Sequence, residues 1–539
     1  MKLGHLVGLI VVVLLIAVAG LGAISAYNVE CPCITTSETS TSSATISSSN
    51  TSASITTSGI TQSPIKHLIV IMQENRAFDN YFWSYPGVDG NYQTNPNYCD
   101  PQPNGSCLAP YNADYNTTQA DMPHTWPSTA KVIDNGRMDG FSIPATNKTE
   151  PLGYYDGEAL PYLWWYAEHY VIADHFFSSV RSYSQPNHWY LLAGTSPTVS
   201  LFEGAPQEEA VCYNQTTFVL TMNSCAYINE AQPIQTIVDE LNGQGISWKY
   251  YDTPVPQGLT LSESITGRLA NGGSCNGYYG TGICDAWDYW SPLRAQNRTY
   301  TVWSSYGANE VARVQLLWDI GNGTLPAVSW VIPSTAISDH APANIVNGMY
   351  WYSEIINDVM ESKYWNSTAI VLLWDDYGGW FDVVPPPNTS QTVSFSGNGV
   401  SVQNAPVGLG PRIAALIISP YAKPGFVDHT VYDFQSTLKF IEWNWGLPPL
   451  NDTQSDAQAN NLLNAFNFNQ PPNPPYPSAL TQAQENSIAS YILLGDSNPN
   501  SNGGPAQILS IVGPGQQPSQ AAVDYNNWLL DQFIAGDPD

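Results

Sequence analysis

An α/β fold with a largely parallel central sheet, layered by helices on both faces, is the fold class this sequence predicts. Two observations point to it. Five short apolar runs have strand length, at Leu68 to Met72, Ser247 to Tyr251, Val328 to Ile332, Ile370 to Trp374 and Ala414 to Ile418, and longer segments with helical spacing lie between them, for example Pro161 to Val171, Pro233 to Leu241 and Gly348 to Ser362. A third observation concerns where the strands end. Leu68 to Met72 runs into Glu74, Asn75 and Arg76, and Ile370 to Trp374 runs into Asp375 and Asp376 before the Gly378-Gly379 turn. In a parallel sheet the carboxyl ends of the strands open onto the ligand crevice, so both polar exits fall where chemistry is done.

From the amino end, Met1 and Lys2 precede an uncharged stretch from Leu6 to Tyr27, near the roughly 20 residues that span a bilayer. It reads as a membrane anchor or as a signal peptide, since Ala23 to Ala26 offers small residues like those of a cleavage site. Either reading exports the protein to the cell surface or beyond. Residues 28–63 are rich in Ser and Thr, cannot bury a core, and read as a glycosylated stalk. Residues 64–450 form the α/β domain, with loop insertions over the crevice at 92–118 and 201–231. Residues 451–539, rich in Asn, Pro and Gln, read as a tail wrapped on that domain.

Two adjacent carboxylates repel unless a cation or a proton holds them, so the Asp375-Asp376 pair at the end of an apolar strand points to a hard metal ion with oxygen ligands. A nucleophile candidate sits between the two acidic exits. Ser184 precedes Pro186 and an aromatic run that reads as a helix, and a helix N-terminus favours an ionised hydroxyl or a phosphate oxygen. Ser182 is the rival hydroxyl in the same loop. His67, at a strand start, and His169, inside a predicted helix, read as packing residues.

Several ordered blocks resemble the phosphoesterase family that groups bacterial phospholipases C with a metal-dependent acid phosphatase on an alkaline-phosphatase-like fold. ENRAFDNYF at Glu74 to Phe82 is similar to the family's ENRSFDxYF. Pro123 to Trp126 and Gly136 to Phe141 resemble PHxW and GxMDGF, and WDDYGGWFDVVPPP resembles D(D/E)xGGxxDHVxPP. LPYLWWYAEHYVIADHFFSSVRSYSQPNHWYLLAGT, SWKYY, SWVIPSTAISDHAP and GPRIAALIISPYAKPGFVDHTVYDFQSTLKFIEWNWG complete the order from about Lys66 to Leu450. The resemblance implies a divalent or trivalent metal ion held by Glu74, Asp375, Asp376 and Ser184. It further implies Ser184 as nucleophile, Asn75 on the phosphoryl group, and His124 and His340 lining the pocket.

The chain departs from the family at two histidines. Val383 and Phe434 stand where the family writes DHV and the later DH, and His188 and His429 are the residues available to replace them. Ser184 in place of threonine, and DD in place of DE, tilt the resemblance toward the acid phosphatase. Three readings follow: an acid phosphatase working through a phosphoseryl intermediate, a phospholipase C-type diesterase, or a catalytically silent protein associated with a surface layer or filament. A histidine that donates a proton to the leaving group predicts an acid optimum.

Composition bounds the setting. Asp+Glu 45 against Lys+Arg 16 gives −29 at pH 7, which excludes a nucleic-acid binder that works through phosphate contacts. With charged residues at 11% and few lysines, the chain avoids positive self-repulsion once its carboxyls are protonated, as an acidophile's exterior requires. Cys99 with Cys107, Cys212 with Cys225, and Cys275 with Cys284 are close couples expected to form disulfides in an oxidising compartment. No CxxC joins a histidine set, so no cysteine zinc site is expected. Sequons at Asn50, Asn104, Asn116, Asn147, Asn214, Asn297, Asn322, Asn366, Asn388 and Asn451 are compatible with an N-glycosylated surface.

Overall fold

The computed structural model describes residues 61–481, apart from 146, 197, 200–210, 215–218, 222–234, 253–309, 313, 334–336, 388–391, 398–399, 407 and 451–454. Its centre is an eight-stranded sheet. The strands are β1 (His67–Gln73), β2 (Val171–Ala173), β3 (Trp248–Asp252), β4 (Glu310–Ala312), β5 (Val328–Val331), β6 (Thr368–Trp374), β7 (Ala415–Ile418) and β8 (Phe426–Asp428). Their spatial order is β4-β3-β5-β1-β6-β7-β2-β8. All neighbouring pairs run parallel except the two made by β7, which is antiparallel to both β6 and β2. The α/β class and the largely parallel sheet are therefore as the sequence predicts.

Strands β5 and β6 are buried at every position, and β1 at every position after His67. Alternate side chains of a strand point to opposite faces, so both faces of the sheet are covered. The covering helices are α1 (Phe78–Phe82), α2 (Trp126–Ile133), α3 (Pro161–His169), α4 (Ser184–Ala193), α5 (Ile237–Gly243), α6 (Val314–Asn322), α7 (Ile345–Glu361) and α8 (Phe434–Trp445). Helix α7 buries Ile345, Met349, Tyr352, Ile356 and Val359, a stripe at three- and four-residue spacing, and packs with α3 and α6. Helix α8 buries Phe434, Leu438, Ile441 and Trp445 in the same pattern and packs with α4.

Some boundaries differ from expectation. The segment expected as one helix to Val171 ends at His169, and Val171–Ala173 becomes a strand of the main sheet. The insertion expected as loop over 201–231 contains Val211–Asn214 and Val219–Thr221, which join Thr198–Val199, Thr392–Gly397 and Val400–Pro406 in a second, five-stranded sheet. Within 92–118 Asp100–Pro101 pairs with Cys107–Leu108, Tyr111–Asn112 pairs outward with Gly153–Tyr154, and Cys99 and Cys107 are joined by a disulfide. The side chain of Cys212, and Cys225, Cys275 and Cys284, lie outside the described residues.

Asn104, Asn116, Asn147, Asn322 and Asn366 are exposed; the side chain of Asn214, and Asn50, Asn297, Asn388 and Asn451, lie outside the described residues, as does the apolar segment from Leu6 to Tyr27. Among the described residues no helix is long and apolar enough to cross a membrane. Residues 455–481 lie against the domain. Leu462, Ala465 and Phe466 enter the core, and Trp365 Nε1 and Trp165 Nε1 donate to the carbonyls of Asn473 and Tyr476, both at 3.0 Å.

Behind α4, Glu442 of α8 meets Asp456 with Glu240 of α5 nearby. Burial, then Asp456, pushes the Glu442 carboxyl up to about 9 and Glu240 up to about 7. A carboxyl raised on folding binds more protons in the folded than in the unfolded chain. Its contribution to stability is therefore present in acid and is lost as pH climbs from the ordinary carboxyl range through the raised value. We expect the urea midpoint of the protein to be higher at pH 4.5 than at pH 8, and Glu442→Gln to narrow that difference. An equal difference in the variant would remove Glu442 as its source.

Candidate active centre at the strand ends

Strands β1 and β6 lie side by side with Gln73 opposite Trp374, so the next residues, Glu74 and Asp375, leave the sheet together. The register continues in one more backbone bond, Asp375 N–H to Gln73 O at 2.9 Å. The Asp375 carboxylate then gathers the turn around itself: its Oδ1 accepts the N–H of Asn75 and of Asp376, both at 2.7 Å. Gly378 N–H donates to Asp376 Oδ1 at 2.6 Å. Asn75 sits at φ 61, in the left-handed region that asparagine tolerates, and Gly378 at φ 58 lies so close to the Asn75 backbone that a side chain there would collide with it. The glycine turn thus closes directly over the β1 exit.

Helix α4 begins at Ser184. Ser184 Oγ lies 3.2 Å from Asn75 Oδ1 and 3.3 Å from Asp376 Oδ2, so of the two loop hydroxyls it is Ser184 that meets both acidic strand ends. One turn later on the same helix face, His188 Nε2 stands 3.0 Å from Glu74 Oε1 and 3.8 Å from Asp375 Oδ2. Of the two histidines available as replacements, His188 joins the centre; its signal in the sequence is the four-residue spacing from Ser184. His429 belongs to a different cluster. His124, just ahead of α2, places Nε2 3.9 Å from Asp376 Oδ2 and 3.5 Å from Asn75 Nδ2. His340 comes from the loop after β5, and Asp121 Oδ1 lies between the two rings, 3.8 Å from His124 and 3.9 Å from His340.

Glu74, Asp375 and Asp376 are wholly buried, and Ser184, His188 and Asn75 nearly so. Burial, reinforced by Asp375, raises the Glu74 carboxyl well above its ordinary range; burial and Asp375 do the same to Asp376, against the opposing pull of His124. Among the described residues no lysine or arginine forms an ion pair with these three carboxylates. Glu74 Oε2 and Asp375 Oδ2 are buried without a hydrogen-bond partner. Glu74, His188 and Asp375 each offer one ligand atom within 4.8 Å of the others. Such a set, paired with no lysine or arginine and holding unused oxygens, fits a metal ion with oxygen and imidazole ligands. His124 is held above the usual imidazole range: burial opposes its charge, but Asp376, Asp121 and the Met122 carbonyl outweigh it. His340 is lowered by burial and by His124, with Asp121 acting the other way.

Neighbouring residues build the frame. Arg76, clustered with Glu74 and Asn75 in sequence, serves the loop that carries His340: its Nε and Nη2 donate to the Asp339 carbonyl at 3.0 and 2.6 Å, and its guanidinium lies over Trp380. Val383 and Phe434, standing where the family has histidines, pack in apolar surroundings. Asp382 turns away to the buried Arg412, which bonds Asp382 Oδ1 through Nε at 2.9 Å and Nη2 at 2.7 Å and Asp79 Oδ1 through Nη2 at 3.0 Å. His67 and His169 have packing roles, on the Pro326 carbonyl and Tyr364, and between Trp165 and Tyr476.

A serine at a helix start, set among buried carboxylates at the ends of parallel strands, places a hydroxyl beside a candidate metal-binding group on an α/β sheet. Residues 65–448 match the phosphoesterase family, and the chain belongs to it. It is 28% identical to a non-hemolytic phospholipase C of Pseudomonas aeruginosa over 80% of this chain and 61% of that protein. It is also 28% identical to phospholipase C B of Mycobacterium tuberculosis over 77% of this chain and 80% of that protein. Against non-specific phospholipase C6 of Arabidopsis thaliana the identity is 22%, over 68% and 64%. The chain thus spans about three fifths of the Pseudomonas relative. A solved protein of the alkaline phosphatase superfamily from Vibrio parahaemolyticus is similar at a TM-score of 0.30 and 10% identity, covering 72% of this chain and 68% of that one.

Arg412 neutralises two buried carboxylates, Asp382 of the loop that follows the glycine turn and Asp79 of α1. Replacing it with methionine strands both charges, and we expect a loss of about 3–5 kcal/mol in chemical denaturation, with lysine failing to restore the bidentate geometry. A loss below about 1 kcal/mol would show that the pair is not a structural anchor.

Proposed function

We propose that this protein is a metal-dependent phosphoric ester hydrolase that transfers the phosphoryl group to Ser184. The observation that carries the reading is the approach of Ser184 Oγ to Asp376 Oδ2 at the N-terminus of a ten-residue helix, beside buried carboxylates that pair with no lysine or arginine among the described residues. Glu74, Asp375, Asp376 and His188 are the residues that would hold the ion, with Ser184 at its edge. When bound, such an ion supplies positive charge to the phosphoryl oxygens and to the attacking hydroxyl.

The chain's own residues account for the rest. Ser184 Oγ attacks phosphorus, its proton passing to the Asp376 carboxylate as the Oγ–P bond forms. The bond from phosphorus to the leaving oxygen breaks, and His124, kept protonated by Asp376 and Asp121, gives that oxygen its proton. Asn75 orients the phosphoryl group. Water then attacks phosphorus, giving a proton to His124 as the Oγ–P bond breaks, and the proton held on Asp376 returns to Ser184 Oγ, which restores all three groups. The helix N-terminus stabilises negative charge on Oγ in both steps.

For substrate we favour phosphate monoesters, hydrolysed as an acid phosphatase, because Ser184 and the Asp375-Asp376 pair tilt toward that branch. The second reading is a phospholipase C-type diesterase, favoured by the relatives in Pseudomonas and Mycobacterium. An exported, glycosylated enzyme working in acid is supported by the scarcity of lysine and arginine and by the carboxyl cluster around Glu442. The sequons add support for the glycans, and the apolar segment from Leu6 to Tyr27 for attachment to a membrane. The intact set at Glu74, Ser184, Asp375 and Asp376 speaks against a silent surface-layer or filament protein.

Wild type and Ser184→Ala should be assayed on a phosphate monoester and a phosphocholine diester, with and without chelator. We expect chelator-sensitive turnover of the monoester, reduced at least about 1000-fold in Ser184→Ala, with phosphate trapped on Ser184 after acid quench. Faster turnover of the diester would move the assignment to the second reading, and turnover of neither by a folded, metal-loaded protein would remove the hydrolase reading for these substrates. The pH profile gives a separate test. As a general acid His124 is active below its pKa, so activity should fall as pH rises through that raised value. Asp121→Asn should shift this limb to lower pH, and an unmoved limb would show that His124 is not the acid.

A further inference from the structure

At the far edge of the sheet a second set of ligands converges, apart from the proposed centre. Strands β2 and β8 pair in parallel with Ala173 opposite Asp428, so the next residues, Asp174 and His429, leave the sheet side by side, and His175 follows Asp174. Asp89 arrives from the loop after α1, its N–H donating to Asp174 Oδ2 at 2.7 Å. His429 Nδ1 stands 2.9 Å from both carboxylate oxygens of Asp174 and 3.9 Å from Asp89 Oδ2, and His175 Nε2 stands 3.1 Å from Asp89 Oδ2. With one ligand atom taken from each residue, all four lie within 4.8 Å of one another.

Those separations fit a small ion. Four ligands at about 2.0–2.1 Å from a tetrahedral zinc-class ion stand roughly 3.3 Å apart, so small side-chain rotations suffice to close the set. Arg412 already fixes the backbone of two members: its Nη1 donates to the carbonyls of Asp89 and Asp174, both at 3.0 Å. Asp174 is fully buried, whereas Asp89 and His429 are 58% and 51% exposed, which leaves a path for a hydrated ion. The neighbouring Asp428 carboxylate is engaged with Tyr432, Thr430 and Asn464.

We infer that Asp89, Asp174, His175 and His429 form a second metal site, for a divalent transition-metal ion of the zinc class, which staples the loop after α1 to the ends of β2 and β8. It uses no cysteine, and so lies outside the patterns a search for cysteine zinc sites can find.

The test separates it from the proposed catalytic centre. Chelator-stripped full-length protein is titrated at pH 7 with Zn²⁺ by calorimetry and with Co²⁺ by visible absorption, in wild type and in a Glu74→Gln, Asp375→Asn background. We expect one equivalent of Zn²⁺ to persist in that background, with intensified cobalt bands of a tetrahedral site. His429→Ala or Asp89→Asn should weaken this equivalent at least about 100-fold, as loss of a ligand does. Both residues are about half exposed, so the unfolding midpoint in chelator should match the parent and report intact folding. If the double background does not fold, the same loss of one equivalent is read from wild type against His429→Ala. Zinc binding that is absent from both backgrounds, or that is indifferent to His429→Ala and Asp89→Asn, would overturn the assignment. Two equivalents still bound in the double background, one of them lost in His429→Ala, would count against the catalytic reading alone.

Discussion

Crowding of buried negative charge at the paired ends of β1 and β6 is the constraint on which the rest of the structure depends. Parallel pairing in register forces Glu74 beside Asp375, and Asp376 follows at once. These groups are buried, so nearly every nearby element answers their charge with a donor. The N–H groups of Asn75, Asp376 and Gly378 turn inward, the start of α4 brings Ser184, and His188 and His124 approach from two sides. The same logic recurs one layer out, where Asp79 and Asp382 are answered by Arg412. Stability and chemistry therefore draw on one source: a site that needs added positive charge to be comfortable is also one that can use it on a phosphoryl oxygen.

Much of this was legible in the sequence because it is local. A long apolar run followed by adjacent carboxylates marks a buried strand and its chemical exit, and both exits proved to be neighbours in the sheet. The serine before an aromatic helix was legible for the same reason, although only the structure distinguishes Ser184 from Ser182, by its approach to Asn75 and Asp376.

What sequence reading missed was short or distant. Val171–Ala173, Glu310–Ala312 and Phe426–Asp428 are three-residue strands that exist because a neighbour supplies their hydrogen bonds, and no periodicity develops over three residues. Arg76 looked like part of the site by adjacency, yet it supports the chain carrying His340. Arg412 carries no local mark of its role, because its partners are 30 and 333 positions away in sequence. His188 carried a readable signal in its spacing from Ser184, but spacing on a helix tells which residues share a face and not what that face meets.

The chain enters the domain through a clasp on the last helix. Gln62 N–H donates to the Asn444 carbonyl and Ser63 Oγ to the Asn444 side chain, and β1 then carries the chain seven residues forward to the centre. At about 3.3 Å per residue that strand is roughly 23 Å long. Gln62 and Ser63 therefore lie at the opposite end of this strand from the centre. Anything coupled to the protein at Gln62 is thereby kept a full strand's length from the buried carboxylates.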